Sequence, residues 1–246
     1  MRRLSYTAAA AVLGGSITAG EALSEEWSYR ASVYLYMPET QTGLDTPAGS
    51  VEATLSFKDA LENLNVAFMG AFSASRGPWT LVTDYNFTDL TFSNATPGPA
   101  YSGLDADLKT QYLSAYALYQ VRDSAEMRVD VGAGLRWFST DTRLTLQPGT
   151  SPQEVRSTDQ SWVDPLIAAR IRVPLSDRWN FMGMVDYGGF RSGSETWQVL
   201  ATVEYSFANN WNVVGGYRYI SFDHEVDNGD YSFSQSGPLL GVTYEF

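Results

Sequence analysis

The residues of this chain that are best suited to catalysis lie in one short run, Asp223-His224-Glu225-Val226-Asp227. His224 is the single histidine of the sequence, and a histidine beside an aspartate can act as a general base. The partners that hydrolysis needs are missing: no Asp-Asp doublet occurs, and Val226 stands where a serine two residues after the histidine would be required. We therefore interpret His224 as a loop residue and expect no catalytic residues and no enzymatic activity. The alternative is a protease or lipid hydrolase that uses His224 with nearby acids.

The same segment is also rich in oxygen ligands. Asp223, Glu225, Asp227 and Asp230 could together coordinate Ca²⁺ or Mg²⁺. The spacing does not fit an EF-hand loop, because the glycine comes one position late and a serine occupies the twelfth position. Asn228-Gly229 is instead a frequent turn of a β-hairpin. We predict a solvated hairpin tip, no metal and no cofactor, with a metal site as the weaker alternative.

Charged side chains recur elsewhere on every second residue of extended segments whose other face is apolar. Both signs are present in near balance on these polar faces. If the faces enclose a narrow interior, the charges must pair, because an unpaired buried charge costs several kcal/mol. The sequence therefore predicts an interior salt-bridge network formed by Arg30, Asp84, Lys109, Arg128, Asp130, Arg136, Asp164, Arg170, Arg172, Asp186, Glu204, Arg218 and Glu245.

The last segment shows most clearly which elements carry these charges. From Pro238 to Phe246 every second residue is apolar, and the residues between are small or polar, with Leu239 the exception. Such alternation is typical of a β-strand with two different surroundings. The terminal Val242, Tyr244 and Phe246 resemble the closing strand of bacterial outer-membrane β-barrels, the segment that the barrel assembly machinery reads.

The rest of the chain supplies further strands of the same kind. Their connections alternate between short turns, such as Arg76-Gly77-Pro78, and longer loops, which is the layout of an outer-membrane barrel. We predict an all-β, transmembrane, antiparallel up-and-down barrel of about ten strands, with eight or twelve as alternatives. The connection 38–65 is the least defined part and could hold an extra hairpin, with a strand near 50–57 and a helical turn near 59–63. The predicted strands are 27–37, 66–75, 79–92, 106–121, 127–146, 159–174, 179–188, 195–207, 211–223 and 231–246.

Tryptophans occupy equivalent places in this pattern. Trp27, Trp79, Trp179 and Trp211 each begin a strand that runs in the same direction. Aromatic residues at one level form the interfacial girdle of a membrane barrel. A soluble β-sandwich is the rival fold, but several strands match the roughly 9–11 residues that cross a bilayer at a tilt, which is longer than usual for globular sheets.

Composition is consistent with this prediction. The chain of 246 residues has no cysteine and a net charge of −12, so a nucleic-acid partner is not expected. Residues 1–22 have the features of a secretory signal peptide, namely two arginines, an apolar stretch and small residues before the cleavage site, which could lie as late as residue 24. Residues 23–246 would then form a single barrel domain in the bacterial outer membrane.

Several short motifs support the same interpretation through a resemblance. Their order and spacing are similar to those of small outer-membrane β-barrels of Gram-negative proteobacteria, of the opacity- or porin-like type. The resemblance covers most of the chain after the signal segment, is strongest from Trp162 onward, and implies fold and location without any activity or catalytic residue. The motifs are Trp162-Val163-Asp164-Pro165, Gly188-Gly189-Phe190 with Gly193-Ser194, Trp197-Gln198, Gly216-Tyr217-Arg218 and Gly237-Pro238-Leu239-Leu240-Gly241.

The function that follows is that of a non-enzymatic barrel. In one interpretation the interior charges are a structural network that plugs the barrel, and in the other they line a narrow pore for small solutes. Adhesion through the loops at 38–65 and 147–158 is a further alternative. The expected partners are outer-membrane lipid, lipopolysaccharide and the barrel assembly machinery, and we expect a monomer.

Overall fold

The computed structural model describes residues 26–46, 49–96, 98–207, 209–226 and 229–246. The predicted signal peptide lies outside these residues. Across the described ranges the chain forms twelve β-strands and one short helix, α1 (Phe57–Glu62). The strands are β1 (Ser28–Tyr36), β2 (Glu39–Thr46), β3 (Gly49–Leu55), β4 (Leu64–Arg76), β5 (Trp79–Asn94), β6 (Tyr101–Asp123), β7 (Arg128–Pro148), β8 (Glu154–Pro174), β9 (Trp179–Arg191), β10 (Ser194–Ser206), β11 (Trp211–Val226) and β12 (Gly229–Glu245).

Ten of these strands close into a ring. Neighbours pair antiparallel in the order β1, β4, β5 and onward to β12, and β12 pairs with β1 to complete the barrel. The two ends of the described chain meet at this seam, where the backbone N–H groups of Tyr29 and Phe246 each donate to the other residue's carbonyl at 3.0 Å. The prediction of an antiparallel up-and-down barrel of about ten strands is thereby confirmed.

The region predicted as a long connection holds the extra hairpin and the helical turn. β2 follows β1 after Met37-Pro38 and continues along β12, where Glu39 pairs with Ser236 and Asp45 with Asp230. β3 then folds back onto β2. Ser56 caps α1 by accepting a hydrogen bond from the N–H of Asp59, which satisfies one of the free amides of the first turn. β12 is thus paired along its length by two successive strands, β1 and β2.

The exterior of the barrel is apolar and the interior is polar. Along β12 and at Phe246, which follows it, the side chains of Leu240, Val242 and Phe246 point outward and are about half exposed, whereas Thr243 between them is buried. Aromatic rings lie on the exterior at the end where the short turns lie. Trp79 packs on Tyr119, Trp179 on Tyr205, and Trp211 on Tyr244, while Trp27 stacks on Tyr29.

A second aromatic level lies nearer the other end of the strands. Trp197 stacks on Tyr219 with ring centroids 4.4 Å apart, and Trp137 Nε1 donates to Ser161 Oγ at 2.8 Å. β6 has 23 residues and β7 has 21, far more than the roughly 9–11 that a bilayer requires, so these strands extend beyond the membrane. In the described part of the chain, no helix is both long and apolar enough to cross a membrane.

Beyond the second aromatic level, farther from the short turns, exterior side chains are polar. Asp89, Lys109, Asp141 and Asp159 lie in register across β5 to β8. Lys109 was predicted to lie in the lumen, but it alternates with buried Thr110 and pairs on the exterior with Asp89 at 3.4 Å. The prediction for Lys109 is wrong because the strand extends beyond the membrane, where an exterior position no longer needs to be apolar.

Glycine positions in the wall leave room for large side chains inside the barrel. At Gly134 an added Cβ would lie 2.3 Å from the Ala115 carbonyl oxygen and 2.8 Å from the Tyr116 ring. Tyr116 therefore packs flat against β7 at this glycine. This packing brings the Tyr116 hydroxyl within hydrogen-bonding distance of Arg136 and Asp186.

Candidate functional site: the charged lumen

Arg136 is the centre of a polar cluster in the lumen. Its side chain is 0% exposed, and it donates to Ser114 Oγ, Thr196 Oγ1 and Tyr116 Oη, each at 2.9 Å. It also forms a salt bridge with Asp186 Oδ2 at 2.9 Å. These partners come from β6, β9 and β10, so one side chain on β7 holds together several strands across the interior. The pairing offsets the cost of burying both charges.

Arg218 forms a second cluster with the opposite wall. It projects from β11, is 2% exposed, and makes a salt bridge with Asp84 on β5. Its Nη1 donates to Tyr34 Oη at 3.0 Å, and its guanidinium lies 5.6 Å and 5.7 Å from the ring centroids of Tyr34 and Tyr36. Tyr34 also donates to Asp84 Oδ1 at 2.7 Å. Cation–π contact and charge-assisted hydrogen bonds therefore fix the guanidinium across the lumen.

An aromatic cluster covers the Arg136 cluster on the side away from the short turns. Phe138 packs on Phe222 with centroids 4.6 Å apart and on Phe233 at 5.3 Å, and Tyr112 packs on Phe222 at 5.5 Å. Arg136 lies 5.6 Å from the Phe222 ring centroid. Phe138 and Phe222 are both 0% exposed. Apolar side chains from β6, β7, β11 and β12 therefore fill the lumen above the charges.

The opposite end of the lumen is a vestibule of about 540 Å³ that opens at the short-turn end, between the β6–β7 connection and the chain end. Arg30 projects into it and forms salt bridges with Glu204 and Glu245. Arg170 and Arg172 lie on its β8 wall and share Asp130. Arg218 and Leu239 line its inner end, so the vestibule stops at the central clusters.

His224 lies at the rim, beyond the outer aromatic level, in a cluster that the sequence did not predict. Its ring stacks on Trp162 at 4.3 Å and 3°, and its Nδ1 is 3.2 Å from Ser194 Oγ. Ser194 Oγ donates to Asp164 Oδ1 at 2.6 Å. Because the single hydroxyl proton of Ser194 is given to Asp164, Nδ1 of His224 must donate to Ser194 in this arrangement. The pKa of neighbouring Asp223 is raised by burial and by the nearby Glu195.

The remaining predicted residues lie at the two ends of the barrel. Arg128 lies at the mouth of the vestibule and pairs with Asp123 at 3.3 Å. The candidate metal ligands Asp223, Glu225 and Asp230 lie on the rim, and Asp227 is outside the described residues. Among the residues that can be described, no group of three or more His, Cys, Asp or Glu side chains is arranged to hold a metal ion.

Neutral partners of the charges were missed by sequence reasoning. Tyr34, Tyr36, Tyr112 and Tyr116 all point inward and are bonded to charged or polar groups across the barrel. Thr196 connects Arg136 to the backbone carbonyl of Ser221. The available signal was the position of these tyrosines on polar faces of strands, where a hydroxyl needs a hydrogen-bond partner.

A closed antiparallel ring with an apolar exterior, two aromatic levels and a charged interior defines an outer-membrane β-barrel protein. The alternation of faces is the reverse of a soluble sandwich, in which the apolar face is turned inward. In such barrels the short turns lie in the periplasm, so the vestibule opens toward the periplasm and the rim around His224 toward the outside.

Comparison with known proteins agrees with the fold. No family model matches the chain, and no curated protein does. Among solved structures, the chain is similar to the outer membrane protease OmpT from Escherichia coli, with a TM-score of 0.54 and 10% identity over 92% of this chain and 99% of that one. It is also similar to the translocator domain of the autotransporter NalP from Neisseria meningitidis, with a TM-score of 0.46 and 15% identity over 92% and 90% of the two chains. At this level of identity, the similarity to OmpT concerns the fold alone.

Proposed function

We propose that the protein is a non-enzymatic outer-membrane barrel whose lumen is closed at its centre by side chains, so that it acts as a structural barrel and not as an open pore. The observation that carries this proposal is the complete burial of Arg136 and Phe138, together with the salt bridge that Arg218 makes to the opposite wall. In a water-filled channel these side chains would be exposed to solvent.

Hydrogen bonds between separate strands stabilise the closed centre of the lumen. The Arg136 guanidinium donates four hydrogen bonds and that of Arg218 donates two, and buried ion pairs are stable only when such bonds are present. Tyr36 and Tyr112 add bonds between separate strands, to the Arg218 carbonyl and to Gln235. Moving any one of these side chains would leave buried partners unsatisfied, and opening therefore requires several to move together.

Single-channel recording tests the closure. We expect refolded protein, inserted in a planar bilayer from detergent, to show no discrete conductance steps over a range of voltages. Folding and insertion are checked separately, by heat-modifiable gel mobility and by protease protection in vesicles. Reproducible openings of the folded wild-type protein would contradict the proposal and favour the narrow pore.

The remaining expectations for partners belong to the same proposal. The outward aromatic levels would lie against outer-membrane lipid and lipopolysaccharide, and the protein would act as a monomer. Tyr244 and Phe246 stack on each other on the exterior of the seam, and Val242 follows the same outward face. We propose this face as the segment that the barrel assembly machinery recognises.

A hydrolase at the rim is the second candidate, because the structure pairs Ser194 directly with His224 across β10 and β11. A serine nucleophile needs a histidine that accepts its proton and that is itself oriented by a third group. Here the order is different, since Ser194 lies between His224 and Asp164 and gives its proton to the carboxylate. This geometry favours a structural hydrogen-bonded chain at the rim.

Ester and peptide hydrolysis by purified protein tests this candidate. We expect the wild type to show only the background of detergent and buffer, and Ser194→Ala and His224→Ala to be indistinguishable from it. Ser232→Ala, on the same rim, serves as the control. Turnover by the wild type that is lost in both Ser194→Ala and His224→Ala but kept in Ser232→Ala would establish the enzyme instead.

A further inference from the structure

The periplasmic vestibule holds two arginines that share one carboxylate. Arg170 Nε donates to Asp130 Oδ2 at 2.9 Å, and Arg172 Nη2 donates to the same oxygen at 3.1 Å. Asp130 is 1% exposed and is the sole carboxylate in salt-bridge contact with either arginine among the described residues. The pair therefore carries one positive charge in excess.

Both guanidinium groups have unused donors. Arg170 Nη2 and Arg172 Nε are buried and make no hydrogen bond to any residue that the structure describes. The Arg170 side chain is 9% exposed and lines the vestibule. A buried donor without a partner is unfavourable, and more so when it is charged. Such groups are normally satisfied by water or by a ligand.

The strand register adds a second reason for an anion here. Arg128 on β7 lies directly opposite Arg172 on β8, and like charges directly opposite one another destabilise a sheet. Of the other acids that line the vestibule, Asp123 pairs with Arg128, and Glu204 and Glu245 are held by Arg30. The Arg170 and Arg172 pair therefore has no second carboxylate of its own, and an anion placed between these two side chains would neutralise their excess charge.

We propose that the vestibule is a binding site for a small oxyanion, of the phosphate or carboxylate type, held by Arg170 and Arg172. The planar guanidinium offers parallel N–H donors that match two oxygens of such a group. The cavity of about 540 Å³ has room for an organic portion as well, and Met182, directly opposite Arg172, supplies an apolar surface beside the arginines. The site is open to the periplasm, so its ligand is a periplasmic solute.

Calorimetric titration of the refolded full chain in zwitterionic detergent tests the site, with inorganic phosphate and acetate as separate probes and chloride at equal ionic strength as the control. We expect saturable binding of phosphate or acetate at one site, and the tighter of the two identifies the class of oxyanion. Arg170→Gln is expected to weaken binding about tenfold or more. Arg156→Gln removes one arginine at the other end of the barrel and should leave binding unchanged.

Asp130→Asn tests the site through a gain in affinity, which damage to the fold would not produce. This variant removes the competing carboxylate, so the two arginines should bind phosphate several-fold more tightly than in the wild type, and phosphate should raise its unfolding temperature more. An equal response to chloride, an equal loss in Arg156→Gln, or no gain in folded Asp130→Asn would overturn the site. None of these outcomes depends on whether the central lumen conducts.

Discussion

Arg136→Ala is expected to lower the free energy of unfolding by about 3–5 kcal/mol, because it leaves Asp186 buried without its cation. Asp186 would keep only the neutral donors Tyr116 and Gln198, because Arg136 is its one salt-bridge partner among the described residues. Ser114, Thr196 and Tyr116 would each lose a hydrogen bond as well. Reversible unfolding in urea, followed by tryptophan fluorescence in detergent, measures the difference.

The matched control is Arg156→Ala, at an exposed pair with Glu154, where the loss should be at most about 1 kcal/mol. A double-mutant cycle with Asp186→Ala separates the energy of the Arg136–Asp186 ion pair from what each side chain contributes by packing. We expect the double variant to cost much less than the two single losses together, because no charge is left unpaired. Full additivity, or an Arg136→Ala midpoint equal to that of Arg156→Ala, would show that the two groups are not coupled.

Arg218→Ala is expected to lower the unfolding midpoint in detergent and to deepen the vestibule, while the barrel stays silent. The side chain crosses from β11 to Asp84 on β5 at the inner end of the vestibule, so its removal enlarges the cavity from the periplasmic side. The Arg136 cluster and the packed rings of Phe138 and Phe222 still fill the lumen beyond it. The midpoint falls because the bonds to Tyr34 and Asp84 are lost and Asp84 is left without its cation.

Urea unfolding followed by tryptophan fluorescence measures the midpoint, and single-channel recording checks that the folded variant stays silent. Arg128→Ala is the matched control, because it removes one arginine from the wide mouth of the vestibule, where it forms an exposed pair with Asp123, and its midpoint should stay close to that of the wild type. An unchanged midpoint in Arg218→Ala would show that its bonds to Tyr34 and Asp84 do not stabilise the barrel. Discrete openings of the folded variant would show that the Arg136 and aromatic clusters do not close the lumen without it.

Much of the fold could be predicted from the sequence because strand alternation determines which face each residue takes. The strands predicted to begin at Trp179 and Trp211 begin there in the structure, and the one predicted to begin at Glu195 begins one residue earlier, at Ser194. The partners inside the barrel could not be predicted in this way. Alternation places Arg218 inward but does not say that Asp84 lies opposite, since that depends on how the strands are staggered when the ring closes.

The contacts of the rim cluster around His224 could not be predicted from the sequence either. Ser194 and His224 are thirty residues apart in the sequence, and no local motif joins them. They meet because β10 and β11 pair in one particular register, which is set by the hairpin turn. The prediction for Lys109 was wrong for a different reason, because alternation was applied to a part of β6 where the exterior is no longer in contact with lipid.

The seam where β12 meets β1 has a consequence for the local stability of the wall. β12 is paired by β1 from Leu239 to Glu245 and by β2 from Asp230 to Ser236, and Pro38 between these strands has no N–H to donate. β1 in turn pairs with β4 only from Ser28 to Val33. By contrast, β6 and β7 are joined along almost their entire length. Thermal fluctuations will therefore separate this seam first, and its amide protons will exchange with solvent before those of the long hairpins.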